Sequence, residues 1–282
     1  MQRKILHPRV PSRKRTRMLE PFLKWAGGKR WLVQRHADLI PTDFRRYVEP
    51  FLGSGAVFFY LRPKEAVLSD TNDELINTYR ALKEDWQRVY RTLQVHHRQH
   101  SKVYYYRIRQ SSPRNDYVKA ARFIYLNRTC WNGLYRVNLE GRFNVPKGTK
   151  SSVIFDTDDF EAISSCLTNV ELKVEDFEAS IDRATAGDLL FVDPPYTAKH
   201  RTNGFIKYNE TLFHWNDQLR LHDALEAAQK RGVKIVLTNT PHASIRQLYE
   251  SSFEVLTVER SSVIAAAPKH RRRLEELVIR SV

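Results

Sequence analysis

The segment RYVEPFLGSGAVFFYLRPKEAVLSD, residues 46–70, contains the pattern that determines the fold. Its two ends, residues 46–51 and 66–70, are rich in apolar and β-branched side chains, which predicts two strands. Between them, two glycines precede an apolar stretch, which predicts a tight turn and a helix beginning near Gly55. Strand-length and helix-compatible segments continue to alternate along the chain. The sequence therefore predicts an α/β fold, with a parallel sheet covered by helices on both faces.

The glycine turn and the acidic residue beyond it are suited to a nucleoside cofactor. Because Gly53 and Gly55 lack Cβ atoms, a ligand can approach the backbone and the N terminus of the helix. Asp70 ends the next strand seventeen positions after Gly53, where a carboxylate can accept hydrogen bonds from both hydroxyls of a ribose. NAD ordinarily needs a third glycine, but Ala56 and Val57 follow here. A plain strand-to-helix turn and a solvated carboxylate are the alternatives.

Further strand-length segments extend the pattern towards the C terminus. Three of them each precede a helix-compatible segment and are expected to join the parallel sheet: residues 170–174, 188–192 and 233–238. Two more segments, residues 253–258 and 277–282, are expected to form a closing hairpin.

Residues 72–168 interrupt this alternation and predict an inserted domain. Helical segments there carry many Arg, His and Tyr side chains. The turn dipeptides Asn132-Gly133 and Glu140-Gly141 then predict either a β-hairpin or an extended loop over residues 128–145. The expected division of the chain is a catalytic domain at residues 19–71 and 169–282, an inserted, mainly helical domain at residues 72–168, and a basic tail at residues 1–18.

The sequence Asp193-Pro194-Pro195-Tyr196 directly follows an apolar strand. Two consecutive prolines fix the backbone φ and remove two N–H donors, so nearby carbonyl oxygens remain free to accept hydrogen bonds. The Asp193 carboxylate and the Pro194 carbonyl can accept both hydrogens of an exocyclic amine, and Tyr196 offers a ring for stacking. Methyl transfer to an aromatic amine requires this help, because the nitrogen lone pair is delocalised. A rigid turn at a strand end is the alternative.

Basic residues outnumber acidic ones, 47 Lys and Arg against 32 Asp and Glu, so the formal net charge is +15. Double-stranded DNA is the first candidate partner, because each neutralised phosphate releases counterions. Residues 1–18 contain seven Lys and Arg and no acidic residue. This tail is either a phosphate-contacting arm or a plain disordered extension, and Met18 is an alternative start of the chain.

The composition also excludes several classes of protein. No apolar stretch approaches the ~18 residues of a membrane span, so no association with a membrane is expected. With only Cys130 and Cys166, and no Cys/His cluster at ligand spacing, neither a disulfide framework nor a metal site is expected. The N terminus lacks the apolar block and cleavage site of a secretory signal, so we expect a cytoplasmic protein, monomeric in solution.

These motifs resemble those of the Dam-type (class α, D12 class) DNA adenine methyltransferases. The resemblance covers residues 22–282 and is carried by FLKWAGGK at residues 22–29, NGLYR at 132–136 and GRFNVP at 141–146, together with Asp193-Pro194-Pro195-Tyr196. It implies a Rossmann-like fold with a target-recognition domain inserted before the catalytic motif. It also implies methyl transfer from S-adenosylmethionine to the 6-amino group of adenine, often within GATC. Because that amino group is buried in a duplex, the adenine must be flipped out.

The resemblance implies roles for individual residues. The catalytic residues would be Asp193, Pro194, Pro195 and Tyr196. The cofactor would contact Trp25, Lys29, Phe51, Gly53, Gly55, Asp70, Phe177 and Asp193, with Lys29 at the methionine carboxylate. The DNA contacts would be Lys24, Arg128, Trp131, Asn132, Leu134, Arg136 and Pro146. Among these, Lys24 and Arg136 would read bases or phosphates, Leu134 and Pro146 would meet a thymine methyl group, and Trp131 would be the wedge that opens the duplex.

Two alternative functions stay open. The same fold could methylate the 4-amino group of cytosine, or an amide, although Asp193 in front of Pro-Pro-Tyr favours adenine. A sequence-specific DNA-binding protein without catalysis is the other alternative, against which the intact Lys29, Asp70 and Asp193 argue. The basic cluster His270-Arg271-Arg272-Arg273 would either contact phosphates or form a solvated loop.

Overall fold

A seven-stranded sheet forms the centre of the computed structural model, which describes residues 18–138, 140–197, 213–261 and 273–281. The basic tail at residues 1–17 and the cluster His270-Arg271-Arg272 lie outside the described residues. The strands are β1 Tyr47–Glu49, β2 Ala66–Asp70, β3 Val170–Val174, β4 Leu189–Val192, β5 Lys234–Asn239, β6 Glu254–Ser261 and β7 Arg273–Arg280.

The strands lie in the order β3-β2-β1-β4-β5-β7-β6. The pairs β1–β2, β2–β3, β1–β4 and β4–β5 are parallel, whereas β7 is antiparallel to both β5 and β6. The order reverses between β1 and β4, and in such sheets a cleft opens at the carboxyl ends of the two strands where the order reverses. The predicted α/β fold is confirmed, and so is the antiparallel pairing of the last two strands.

Strand β7 is longer than the sequence predicts. It begins at Arg273 rather than at residue 277, because Ser261 pairs with Arg273 and the ladder with β6 continues from there to Glu254 and Arg280. The polar stretch at the start of β7 lacks an apolar strand pattern. Pairing with a neighbouring strand, rather than local side-chain preference, therefore defines this end of the strand.

Helices cover both faces of the sheet. Within the described residues they are α1 Arg30–Arg35, α2 Ala56–Leu61, α3 Asp73–Gln99, α4 Lys102–Gln110, α5 Asp116–Thr129, α6 Phe160–Cys166, α7 Phe177–Asp182, α8 Trp215–Lys230 and α9 Ala243–Tyr249. Short 3-10 turns occur at Ala37–Leu39 and Trp131–Gly133. No helix in these ranges combines the length and the apolar character needed to cross a bilayer.

Alternating side chains of the strands divide the core into two apolar clusters. Tyr47 and Phe191 lie in the cluster that α2, α3 and α5 cover, whereas Val48 and Leu190 lie in the cluster that α7 and α8 cover. This alternation arises because successive side chains in a strand point to opposite faces. Both faces of the central parallel strands β1 and β4 are therefore buried, as expected for strands that helices cover on both sides.

The helices α3 to α6 fall between β2 and β3, where the insertion is expected. Asn72 caps α3 by accepting a hydrogen bond from the Leu75 N–H, and the helix is interrupted at Asp85, where φ is −154°. Side chains of α3 and α5 share one apolar cluster with the sheet. The division of the chain into a catalytic and a recognition domain stays a prediction.

The segment expected to be a hairpin or an extended loop is mainly a loop that contains a short antiparallel pairing. Helix α5 continues to Thr129. Beyond it, Cys130 bridges Lys147 and Val137 bridges Phe143, and the second bridge is flanked by hydrogen bonds from the Asn138 N–H to the Arg142 carbonyl and from the Asn144 N–H to the Arg136 carbonyl. The expected β-hairpin is therefore present only as this short pairing over residues 136–144, because α5 takes up the first residues of the expected range.

Arg128 is buried near the C-terminal end of α5, with a side chain only 1% exposed. Its guanidinium donates to both carboxylate oxygens of Asp158, at 2.6 and 2.7 Å, and to the carbonyls of Phe22 and Val153. These contacts tie the segment before α1 and the loop before α6 to α5. Arg128 is therefore a structural residue, which corrects its expected contact with DNA.

Removing one partner of this ion pair should destabilise the protein strongly, because the other charge would stay buried and uncompensated. We expect Asp158→Ala to lower the free energy of unfolding by about 3–5 kcal/mol. The control is Glu140→Ala, since Glu140 pairs with Arg142 on the surface and such pairs contribute under about 1 kcal/mol. Chemical denaturation measures both, and equal losses would contradict a structural role for Arg128.

Candidate active site

A cavity of about 390 Å³ lies at the carboxyl ends of β1 and β4, within the size range of small-molecule sites. One part of its wall is aromatic. The rings of Phe51 and Phe177 stack with centroids 5.5 Å apart, and Phe213 meets Phe51 edge to face at 5.8 Å. Another part of the wall carries charged side chains. The structure therefore brings together residues from the glycine turn and the Asp-Pro-Pro-Tyr turn, which are far apart in sequence.

The glycine turn after β1 is packed against Trp25. Gly53 has φ +47°, and a Cβ at this position would lie 2.6 Å from Trp25 Cδ1. The indole ring also stacks on Tyr135, with centroids 5.8 Å apart. Gly53 is thus required both by its backbone conformation and by the close approach of a ring. Gly55 has φ +63° and immediately precedes α2.

Asp70 links the glycine turn to the start of α3. Its carboxylate accepts hydrogen bonds from the Gly53 N–H at 3.2 Å and from the Asn72 N–H at 3.0 Å. Burial raises the pKa of Asp70 to about 6, although these backbone donors favour the ionised form. Asp70 lines the cavity, and both of its carboxylate oxygens accept backbone hydrogen bonds, whereas its contact with a ribose stays a prediction.

Lys29 and Asp193 form an ion pair in the wall of the cavity. Lys29 Nζ lies 2.8 Å from Asp193 Oδ1, and it donates a second hydrogen bond to the Gly27 carbonyl at 2.6 Å. Thr238 Oγ1 donates to the same oxygen of Asp193 at 2.8 Å. Burial raises the pKa of Asp193, while the Lys29 ammonium opposes that shift. Lys29 is 3% exposed and so is not an ordinary surface lysine.

The remaining residues of the Asp-Pro-Pro-Tyr motif lie beside this pair. Pro194, Pro195 and Tyr196 line the cavity, and Lys29 Nζ lies 4.9 Å from the centroid of the Tyr196 ring. The Tyr196 hydroxyl donates to Glu276 Oε2 at 2.7 Å. The arrangement can hold a planar group against the Tyr196 ring while carboxylate and carbonyl oxygens accept its hydrogens.

Two buried glutamates belong to the site but were not predicted. Glu49, at the end of β1, lines the cavity and accepts a hydrogen bond from the Tyr47 hydroxyl at 3.0 Å, and burial raises its pKa well above the usual range. Its position at the end of a strand, next to the glycine turn, was a signal that could have identified it. Glu276 lies on β7, and nothing in the local sequence distinguishes it from Glu275.

The loop after α5 borders the cavity through Leu134, which is half-buried in its wall. The other expected DNA contacts in this loop are exposed. Trp131 is 52% exposed, Asn132 has φ +55°, and the Arg136 Nε donates to Asn144 at 2.9 Å. Pro146, the last of the expected DNA contacts in this loop, is also exposed. Its carbonyl oxygen accepts a hydrogen bond from the Trp131 N–H.

Lys24 is exposed and packs on this loop. Its side chain closely approaches Gly133, where an added Cβ would lie 2.8 Å from Lys24 Cβ. The Asn127 side chain also binds the backbone of Lys24, accepting from its N–H at 2.9 Å and donating to its carbonyl at 2.8 Å. Lys24 and the loop after α5 therefore form one continuous surface next to the cavity.

The doubly wound sheet and the Asp-Pro-Pro-Tyr turn at its switch point define the protein as an amino-methyltransferase. Residues 25–264 match the family of D12 class N6 adenine-specific DNA methyltransferases, and the chain belongs to this family. The Dam-type resemblance is thus confirmed, and the chain is assigned to adenine-specific DNA methyltransferases.

Known relatives align along nearly the whole chain. A Type II methyltransferase of Lactococcus lactis subsp. cremoris is 36% identical, with 93% of this chain and 95% of that protein covered. A Type II methyltransferase of Methanocaldococcus jannaschii is 34% identical, with coverages of 93% and 98%. The DNA adenine methylase of Escherichia coli strain K12 is 30% identical, with coverages of 91% and 93%.

Gly53→Ala should destabilise the protein more than Gly141→Ala. Both glycines have positive φ, which costs an alanine roughly 1–2 kcal/mol. Only Gly53 adds a clash, with Trp25, because no atom of the described part of the chain lies within 4 Å of a Cβ at Gly141. The free energy of unfolding from chemical denaturation measures the difference. Equal losses in the two variants would show that Trp25 does not require a glycine at this position.

Proposed function

We propose that the protein transfers a methyl group from S-adenosylmethionine to the 6-amino group of an adenine that is flipped out of duplex DNA, within the sequence GATC. The main support is the position of Asp193. Its carboxylate, the Pro-Pro turn, the glycine turn and Asp70 all lie in the wall of one cavity. The proposed site for the amine would thus adjoin the proposed site for the nucleoside cofactor.

The side chains of the cavity fit S-adenosylmethionine. The stacked rings of Phe51 and Phe177 suit an adenine ring, and the Asp70 carboxylate suits the ribose hydroxyls. At the charged end, Lys29 can pair with a carboxylate and the Glu49 carboxyl can accept from an ammonium group. When bound, S-adenosylmethionine would supply an electrophilic methyl group.

Asp193 and the turn that follows it would orient the target amine. The Asp193 carboxylate and the Pro194 carbonyl would accept its two hydrogens, so that the nitrogen lone pair is directed away from the ring system. Lys29 and Thr238 hold the carboxylate in one orientation before any substrate arrives. The ring of Tyr196 would stack on the flipped base. The amino nitrogen would attack the methyl carbon as the carbon–sulfur bond breaks, which leaves S-adenosylhomocysteine, and the nitrogen would then release one proton to solvent.

The surface formed by Lys24 and the loop after α5 would contact DNA. Exposed Trp131 suits insertion into the base stack, and Leu134 and Pro146 would meet a thymine methyl group. Arg136 could read a guanine through two hydrogen bonds, which discriminate by about 1–3 kcal/mol. We infer that the enzyme works in the cytoplasm, on the nucleoid or on phage DNA. The Type II names of two relatives make a restriction-modification system a candidate context.

Sequencing of modified bases tests the proposed reaction and its target together. DNA from a methylation-free host that expresses the protein should contain N6-methyladenine within GATC. Methylated adenines at other sequences would contradict the specificity only. Methylation of cytosine would support the cytosine alternative, and unmodified DNA together with specific binding would support a protein that only binds.

Asp193→Ala should lower the rate of methyl transfer by about 100-fold or more, because one of the two oriented acceptors is lost. DNA binding, measured by fluorescence anisotropy, should remain. The control is Asp182→Ala, which removes an exposed carboxylate at the end of α7. Transfer of labelled methyl groups at an unchanged rate in Asp193→Ala would contradict the mechanism.

The affinity for S-adenosylmethionine should fall as the pH is lowered through about 6. The pKa of Asp70 is raised to about 6 by burial, and the ionised carboxylate is the better acceptor for two ribose hydroxyls. Affinity is therefore complete above this pKa and is lost below it. Calorimetric titrations on both sides of this pH measure the effect. Asp70→Asn should bind weakly and lose the pH dependence centred near 6, and an unchanged dependence there would exclude Asp70 as its source.

A further inference from the structure

Glu276 reaches the candidate active site from the antiparallel strand β7. Because β7 runs antiparallel to β5, Leu277 pairs with Asn239, the last residue of β5, and the first half of β7, which contains Glu276, extends beyond the carboxyl end of β5. Glu276 is 2% exposed, whereas its neighbour Glu275 is exposed on the other face of the strand. The strand therefore directs one of two consecutive glutamates into the protein and the other to solvent.

One oxygen of Glu276 lies next to two residues of the site. Glu276 Oε2 accepts a hydrogen bond from the Tyr196 hydroxyl at 2.7 Å and lies 3.6 Å from Lys29 Nζ. Lys29 in turn pairs with Asp193. Burying a carboxylate is costly unless it is paired and hydrogen-bonded, and Lys29 and Tyr196 supply both. An apolar side chain would avoid that cost, which indicates that the carboxylate has a role beyond stability.

We propose that Glu276 is a positioning residue that holds the ring of Tyr196 in the orientation needed for stacking on the target base. This inference rests on the proposed function. The backbone of Tyr196 is held by the two prolines before it, and its hydroxyl is held by Glu276. With both ends restrained, the ring loses little rotational freedom when a base arrives. A hydroxyl that donates to a carboxylate forms one of the stronger hydrogen bonds in proteins.

A double-mutant cycle between Glu276 and Tyr196 tests this role. Glu276→Ala and Tyr196→Phe each remove one partner of the hydrogen bond and keep the stacking ring. Each should lower the single-turnover rate of methyl transfer by about tenfold, the loss expected for one hydrogen bond to a charged group. The double variant should be no slower than either single variant, because both lose the same interaction. Losses that multiply would overturn the proposal.

Conservative and neighbouring variants separate positioning from folding. Glu276→Gln should keep most of the rate, because its amide oxygen can accept from the Tyr196 hydroxyl. A Gln variant as slow as the Ala variant would overturn the proposal in favour of a charge effect on Lys29. The matched control is Glu275→Ala, which should keep the wild-type rate. Thermal melting of every variant identifies any that fail to fold.

A second measurement does not require methyl transfer. In protein labelled with 3-fluorotyrosine, the ¹⁹F resonance of Tyr196 is identified by its absence from Tyr196→Phe. It should move towards the position of a solvent-exposed tyrosine in Glu276→Ala and stay unchanged in Glu275→Ala. An unchanged resonance in Glu276→Ala would overturn the proposal even if the enzyme is active. A wild-type protein that transfers no methyl group would contradict the proposed function, and the resonance would still decide whether Glu276 holds Tyr196.

Discussion

The pairing of β1 with β2 on one side and with β4 on the other determines where the site lies. Helix α2 follows β1 and packs on one face of the sheet, whereas α8 follows β4 and packs on the opposite face. The two helices therefore lie on opposite faces of the sheet. A cavity remains between them, above the carboxyl ends of β1 and β4. Every strand-end residue of the site, from Glu49 to Asp193, depends on this reversal of strand order.

The charges of the cavity and of the whole chain have opposite signs. Glu49, Asp70 and Asp193 line the cavity, and Lys29 is the one cationic side chain that lines its described part. Burial raises the pKa of all three carboxyl groups, which reflects the cost of collecting negative charge away from water. A positively charged ligand reduces that cost. The formal charge of +15 on the chain instead favours a polyanion at the surface.

Lys29 and Arg128 show where prediction from the sequence succeeds and where it does not. Both were expected to have functional roles, and both are buried cations with an acidic partner. Lys29 is beside Asp193 in the wall of the cavity, whereas Arg128 joins α5 to Asp158, distant from solvent. Both side chains are basic, so residue type alone does not separate the two positions. Only the packing around each side chain shows which of them is structural.

Local patterns in the sequence determined the α/β class, the glycine turn and the Asp-Pro-Pro-Tyr turn, because alternation, glycine and proline act on the backbone within a few residues. The strands were predicted to within a few residues at their ends. The tertiary structure alone decided the partners of the buried charges and the contribution of Glu276. Tyr196 and Glu276 are 80 positions apart, and a contact between such distant side chains leaves no periodic signal in the sequence. The contact between Tyr196 and Glu276 forms because β7 lies antiparallel beside β5.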